Sequence, residues 1–453
     1  VNGGADGRRA ELLERRRRVL GPAYRHFYED PVEIVGGEGT RLFDADGVEY
    51  LDAYNNVPCV GHANPRVVAA IAAQAGKLNT HTRYLAEPIL DYSERLLASL
   101  GAPLEHVMFT CSGSEAVDLA LRVARFATGR AGVIATANAY HGTTTAAAEA
   151  SPSLGPAVAP GPAVRLISAP SLGPTDPTEG HTAQAAHATG GAAEGLAARP
   201  AMTDGEAEGR RMAAELAAAA DDLEAAGHGF AAFICDPIFS SDGIRPGPAG
   251  LLAPVAAEVR RRGALFIADE VQAGFARTGE QMWGFRRHDL QPDLVTMGKP
   301  MGNGMPIAAT ATRADLLDRF GRETRFFSTF GGNSVSIAAA TAVLDEIDSA
   351  DLRQNALAVG TYLLAGLKDL EGRTPFLTNA RGAGLFLGVD VPDPAATGTP
   401  AQILNALRHR QVLAGLTGPA TDTLKIRPPL VFSHEDADLF LAALEGVLGD
   451  LGG

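Results

Sequence analysis

Gly263-Ala264-Leu265-Phe266-Ile267-Ala268-Asp269-Glu270-Val271-Gln272 sets an unbroken apolar run against an abrupt acidic end. The run follows a glycine and is short for a helix, so it reads as a strand buried on both faces. Moving outward, His106–Thr110, Gly132–Thr136 and Ala231–Cys235 upstream, and Asp293–Met297 downstream, repeat the pattern with long helical stretches between them. Buried strands separated by helices pair in parallel, because each return crossing lays a helix over the sheet. The predicted class is α/β: a large domain whose mostly parallel sheet carries helices on both faces, with a smaller α+β domain from the N- and C-terminal segments.

The rest of the chain organises around that sheet. Residues 1–60 read as an Arg-rich helix and a small antiparallel meander. In the meander, Thr40–Phe43 and Glu49–Leu51 are set off by Gly36-Gly37-Glu38-Gly39 and Asp44-Ala45-Asp46-Gly47. Residues 61–330 make the large domain. Residues 331–453 return to helices alternating with short strands and end in an amphipathic helix, Glu435–Leu448. The stretch 151–215 is rich in Ala, Gly, Pro, Thr and His and lacks periodicity before Arg210, so it is read as a surface insertion.

A chain of 453 residues with 46% hydrophobic and 20% charged positions has the balance of an ordinary globular protein. Disordered, collagen-like and coiled-coil classes are excluded. A net charge of −14 argues against a protein that holds nucleic-acid phosphates, and Arg15-Arg16-Arg17-Arg18 reads as a solvated helix face. Cys59, Cys111 and Cys235 are widely spaced and make neither a disulfide framework nor a paired zinc motif. With no apolar run approaching the roughly 18 residues of a span and no signal-peptide pattern at Val1-Asn2-Gly3-Gly4, the expectation is a soluble cytoplasmic protein without membrane contact.

The lysines narrow the chemistry. Arginine supplies most of the positive charge, leaving only Lys77, Lys299, Lys368 and Lys425. Lys77, Lys368 and Lys425 read as polar or helix-surface positions. Lys299 follows the strand-like Asp293–Met297 and sits among glycines in Met297-Gly298-Lys299-Pro300-Met301-Gly302-Asn303-Gly304. At the carboxyl edge of a parallel sheet, where such folds bind ligands, a confined amine can lose its proton and become a nucleophile or Schiff-base former.

Three further features extend the pattern. Asp269 ends a buried strand and needs a cation, which a protonated pyridine nitrogen would supply; helix capping or metal binding would use the same carboxylate. Cys111-Ser112-Gly113-Ser114-Glu115-Ala116 follows a strand and opens a helix, where free N–H groups and the helix dipole favour a phosphate. A plain serine N-cap accounts for those letters too. Tyr140, before His141-Gly142, offers a ring to stack on a heterocycle, and Thr329 lies in the turn-like Phe327-Ser328-Thr329-Phe330-Gly331-Gly332-Asn333. Phosphate cradle, aromatic ring, acid and lysine in that order, each at a strand end, describe a site for pyridoxal 5'-phosphate.

At these residues, and over roughly 30–450, the chain resembles the class III aminotransferase family of fold type I. The matching stretches are Tyr54-Asn55-Asn56-Val57-Pro58 with Gly61-His62, Ser112–Ala116, Tyr140-His141-Gly142, Ile267–Gln272 with Gly274-Phe275, Met297-Gly298-Lys299 and Thr329–Asn333. The resemblance implies that Lys299 forms the Schiff base and shuttles the α-proton, while Asp269 holds the pyridinium. Tyr140 and Val271 would flank the ring, with Gln272 near its phenolic oxygen. Ser112, Gly113 and Ser114 would hold the phosphate. Thr329 would reach it from a second subunit, which makes the protein a homodimer with shared sites.

Leu78–Leu85, Gly298–Gly304 and Leu424-Lys425-Ile426-Arg427-Pro428-Pro429-Leu430 resemble the branch with the ethanolamine-phosphate and phosphohydroxylysine phospho-lyases. Arg427, and next to it in rank Arg83, are the expected anchors for a substrate carboxylate or phosphate. Asp236-Pro237-Ile238 and the long 151–215 stretch depart from that branch. The resulting expectation is an enzyme that removes the α-proton of a small amino substrate and transfers the amino group to an oxo acceptor. Elimination of a β- or γ-leaving group is the alternative, because both reactions use the same lysine, acid and phosphate cradle.

Overall fold

The computed structural model describes residues 3–171, 205–393 and 398–452. Its centre is a seven-stranded sheet in the spatial order His106–Thr110, Ala308–Thr312, Leu294–Met297, Leu265–Asp269, Phe230–Cys235, Gly132–Thr136 and Val164–Ile167. The pairings from Leu294–Met297 across to Val164–Ile167 are parallel. Ala308–Thr312 runs antiparallel to both of its neighbours, so the fold is α/β with one reversed strand. Strands such as Phe230–Cys235 and Leu265–Asp269 are buried along their whole length, as expected under helices on both faces.

Two smaller sheets complete the molecule. The meander Ile34–Glu38, Arg41–Asp44 and Glu49–Asp52 is joined in parallel by Val412–Leu413, so the two ends of the chain share one sheet. An antiparallel sheet orders Thr378–Ala383, Phe386–Asp390, Thr423–Ile426 and Gly415–Thr417. One apolar core runs from Val60 and Phe233 in the large sheet's surroundings to Leu387 and Phe440 in the C-terminal part. The buried Arg277 clamps these parts together: its guanidinium donates to Asn56 Oδ1 at 2.7 Å, to the Leu385 carbonyl at 3.1 Å and to the Pro428 carbonyl. That clamp holds the Tyr54–Asn56 and Arg427–Pro428 segments beside the carboxyl edge of the sheet.

The stretch 151–215 differs from the expected insertion at both ends. Val164–Ile167 is the edge strand of the main sheet, and the helix Gly205–Ala225 begins before Arg210 and packs on that sheet. An edge strand is covered on fewer sides, which leaves Arg165 and Leu166 half-exposed and breaks the apolar run. Residues 172–204 lie outside the described residues. The N-terminal helix Gly3–Leu20 carries Arg15, Arg17 and Arg18 exposed, and the C-terminal helix spans His434–Gly452. Among the described residues, no helix is long and apolar enough to cross a membrane.

Candidate active site

Parallel strands deliver their carboxyl ends to one edge, and the expected chemistry gathers there. Lys299 follows Leu294–Met297 and starts a 3-10 turn, Lys299–Gly302. Its Nζ lies 5.8 Å from the centre of the Tyr140 ring. Burial, and then the Arg427 cation, push its amine down to about 8, against the opposing pull of Asp269 and Asp236. Asp269 ends its strand with both oxygens engaged. Oδ1 accepts from Val271 N–H at 3.2 Å and Thr296 Oγ1 at 3.1 Å, and Oδ2 lies 2.6 Å from His141 Nδ1. His141 is itself buried, its backbone N–H donates to Ser151 Oγ at 2.8 Å, and its Nε2 has no hydrogen-bond partner among the described residues.

The helix Gly113–Thr128 begins at the same edge. Ser112 Oγ accepts from Glu115 N–H at 3.3 Å, while Glu115 Oε2 accepts from Cys111 N–H at 2.7 Å. This cap uses the Ser112 hydroxyl as an acceptor and leaves its O–H able to donate. The first-turn N–H groups of Gly113 and Ser114 have no intrahelical acceptor and stay available to an anion. Ser114 Oγ accepts from Thr143 N–H at 3.1 Å, tying the cradle to the Tyr140–Gly142 loop. Two glycines keep this region narrow. A Cβ on Gly142 (φ +140°) would sit 2.6 Å from Ser114 Oγ, and one on Gly113 would sit 3.0 Å from a Val271 methyl.

A second group of side chains lies beside Lys299. Arg427 is buried, its Nε donates to the Tyr54 carbonyl at 3.2 Å and its Nη1 donates to Gln272 Oε1. Gln272 Nε2 in turn donates to Ser240 Oγ, so the Gln272 amide is engaged at both ends. Lys425 corrects the sequence reading. Lys77 and Lys368 are exposed, but Lys425 is only 7% exposed, with its Nζ 5.5 Å from the Phe386 ring centre. Burial, then the Arg427 and Lys299 cations, hold its amine well below the usual lysine range. Among the described residues, neither Lys425 nor Arg427 forms an ion pair with a carboxylate.

Two expected residues lie apart from this set. Arg83 and Thr329 are both exposed, and the Arg83 guanidinium stands 3.9 Å over the Phe327 ring. Neither hydrogen-bonds to the buried cluster in this single chain. Conversely, sequence reasoning gave no role to His141, Ser240 or Lys425. Only His141 carried a usable signal, as an imidazole immediately after the aromatic residue at a strand end.

The donor set fits a flat heterocycle bearing a phosphate. A buried carboxylate stands ready for a ring cation, a depressed lysine amine stands ready to condense, and free N–H groups at a helix start stand ready for the phosphate. Residues 24–448 match the model of the family described as aminotransferase class-III. The chain belongs to the class III aminotransferase family. It is a pyridoxal-phosphate-dependent enzyme.

Known members lie on both sides of the reaction question. The chain is 36% identical to alanine–glyoxylate aminotransferase 2-like of Drosophila melanogaster, over 96% of this chain and 86% of that protein. It is 33% identical to ethanolamine-phosphate phospho-lyase homolog 1 of Caenorhabditis elegans, over 97% and 93%. A solved phospholyase from Arthrobacter, in complex with phosphoethanolamine, shares 42% identity with a TM-score of 0.87, covering 97% of this chain and 99% of that one.

Proposed function

We propose that the protein is a lyase that eliminates phosphate from a small phosphorylated primary amine. The observation that carries this reading is the buried pair Lys425 and Arg427 beside Lys299, neither of which forms an ion pair with a carboxylate among the described residues, Asp236 acting on both only from a distance. A buried guanidinium beside an amine that burial has pushed toward its neutral form favours an arriving phosphate dianion, which pairs with the first and draws a proton onto the second. The likeness to the Arthrobacter phospholyase, solved with phosphoethanolamine, points the same way.

In this reading Asp269 holds the cofactor's ring nitrogen, Tyr140 and Val271 flank the ring, and Gly113 and Ser114 hold its phosphate, with Ser112 shaping the cradle. Bound pyridoxal phosphate supplies an electron sink for the carbon that loses its proton. Lys299 takes that proton from the carbon bearing nitrogen. Lys425 and Arg427 hold the substrate phosphate and stabilise the charge that gathers on its bridging oxygen as the carbon–oxygen bond breaks. The bonding electrons leave with inorganic phosphate, and water then releases ammonia and a carbonyl compound. Gln272, on this view, serves Arg427 as well as the ring.

The decisive experiment is a single turnover with O-phosphoethanolamine. Stoichiometric inorganic phosphate with recovery of the starting visible spectrum supports elimination. A carbonyl product that retains its phosphate, with the cofactor left in its amine form, would replace it with amino transfer. Amino transfer is the second reading because Arg427 has the paired donors to grip a carboxylate, and the Drosophila relative carries an aminotransferase name.

The same reading includes a homodimer in which Thr329 and Arg83 serve the neighbouring subunit's site. Tyr84, Leu85, Phe327 and Phe330 are exposed around them, which is unusual for aromatic and aliphatic side chains so close together. A cytoplasmic location is supported by three free cysteines, two of them buried.

A further inference from the structure

Asp236 follows the strand Phe230–Cys235 at the same edge, and nothing in the reaction above uses it. Its carboxylate is tied into the following turn: Oδ1 accepts from Ile238 N–H at 3.0 Å and Oδ2 from Ser240 N–H at 3.1 Å. The turn is held hard in place. Phe239 and Ile244 both sit at positive φ (49° and 59°), a costly conformation for a bulky or β-branched residue. Thr417 Oγ1 donates to the Ser240 carbonyl at 3.0 Å, and Asn138 Nδ2 donates to the Ser241 carbonyl at 2.6 Å. Ser240 is fully buried, and the Asp236 carboxylate holds it through its backbone N–H.

The hydrogen bonds then have a forced direction. Arginine has only donors, so the Gln272 atom meeting Arg427 Nη1 must be its carbonyl oxygen. The Gln272 NH2 therefore points at Ser240 Oγ, which accepts. Asp236 in turn fixes where that hydroxyl stands by accepting from the Ser240 backbone N–H. From Arg427 through Gln272 to Ser240 the donors point the same way, each bond reinforcing the next, and Asp236 anchors the Ser240 end through its backbone. The Arg427 guanidinium lies 5.0 Å from the Tyr54 ring centre and 5.6 Å from that of Phe386, with no carboxylate in direct contact among the described residues.

We propose that Asp236, acting through the Ser240 backbone and the Gln272 amide, fixes Arg427 as a preset receptor, free of a direct carboxylate partner, for the anionic end of the substrate. Asp236 and Ser240 are positioning residues. A carboxylate placed directly on Arg427 would compete with the substrate anion. A neutral amide backed by a remote acid orients the guanidinium and leaves its charge for the ligand. This rests on the reading of Arg427 as the anion anchor, and it extends that reading to residues that never touch the substrate.

The test uses the holoenzyme with two probes, inorganic phosphate and propionate, titrated against the visible spectrum of the bound cofactor and as inhibitors. Ser240→Ala should weaken whichever anion the wild type binds by about tenfold. It should raise KM for O-phosphoethanolamine by a similar factor, with kcat within about threefold and the unliganded spectrum unchanged. Asp236→Asn should act in the same direction and serves if the alanine variant folds poorly. Unchanged anion affinity in a well-folded variant would overturn the positioning chain while leaving the lyase reading intact. If the wild type bound propionate but not phosphate, and Ser240→Ala weakened propionate, the chain would stand and the phosphate reading would fall. Binding of neither anion would overturn both.

Discussion

At the scale of single residues, the decisive quantity is how much of Lys299 is neutral. An ordinary lysine at 10.5 is almost wholly protonated near neutrality, and burial beside Arg427 brings Lys299 to about 8. Only the neutral amine can condense with the cofactor. The rate at which the apoprotein takes up pyridoxal phosphate covalently should therefore rise with pH and level off above about 8. Stopped-flow absorbance between pH 6.5 and 9.5 reads this directly, and a rate still climbing steeply at the upper limit would contradict it. Lys299→Ala should bind the cofactor without the covalent link and lose turnover. Asp269→Asn removes one partner of a buried charge pair, a loss of roughly 3–5 kcal/mol, and should cut kcat by about 10² to 10³ while leaving the protein folded by circular dichroism. Lys299 and Asp269 were legible because a strand end is a sharp signal. Lys425 was not, for a physical reason. In Thr423-Leu424-Lys425-Ile426-Arg427 the alternation separates two faces but does not say which one meets water. Here the polar face turns toward Lys299 and both faces are buried.

At the scale of elements, the site depends on how closely the helix Gly113–Thr128 meets the Tyr140–Gly142 loop. Gly142 sits at φ +140°, and an added Cβ would press on Ser114 within 2.6 to 2.8 Å, two of those contacts in its side chain. Gly142→Ala should therefore displace the loop and weaken cofactor retention, measured as a raised dissociation constant for pyridoxal phosphate at unchanged secondary structure. Retention equal to the wild type would show that the loop yields freely. The alternation of strands and helices, and hence the parallel sheet, was legible from apolar runs alone. The reversed strand was not marked by composition, since the small apolar and hydroxyl residues of Ala308-Ala309-Thr310-Ala311-Thr312 carry no signal of strand direction. Its direction follows from its connection. Only residues 298–307 separate it from Leu294–Met297, with one short 3-10 turn between them. A parallel return needs about a dozen residues or more. The edge strand Val164–Ile167 stayed hidden because half of it faces away from the core, among alanine, glycine and proline.

At the scale of the whole molecule, the argument turns on surface that one chain leaves uncovered. Leu85 and Phe330 are exposed at 101% and 69%, and Tyr84 and Phe327 stand beside them with His81 stacked on Tyr84. The Arg83 guanidinium on Phe327 joins the 78–85 loop to the 326–330 loop, so the two form one surface. Such a patch is buried at low cost by a second copy, and burial there would carry Thr329 toward a neighbouring cradle. With a net charge of −14 on each chain, association also has to overcome like-charge repulsion, which salt screens over a length of about 8 Å at physiological ionic strength. Two results should follow together. Light scattering should give twice the chain mass at micromolar concentration, with dissociation favoured at low salt. Phe330→Asp, which puts a charge into the patch, should yield monomers that lose activity although Lys299, Asp269 and Lys425 remain in place. A variant that is monomeric and fully active would show that each chain completes its own site. A variant that stays dimeric would move the interface elsewhere on the molecule.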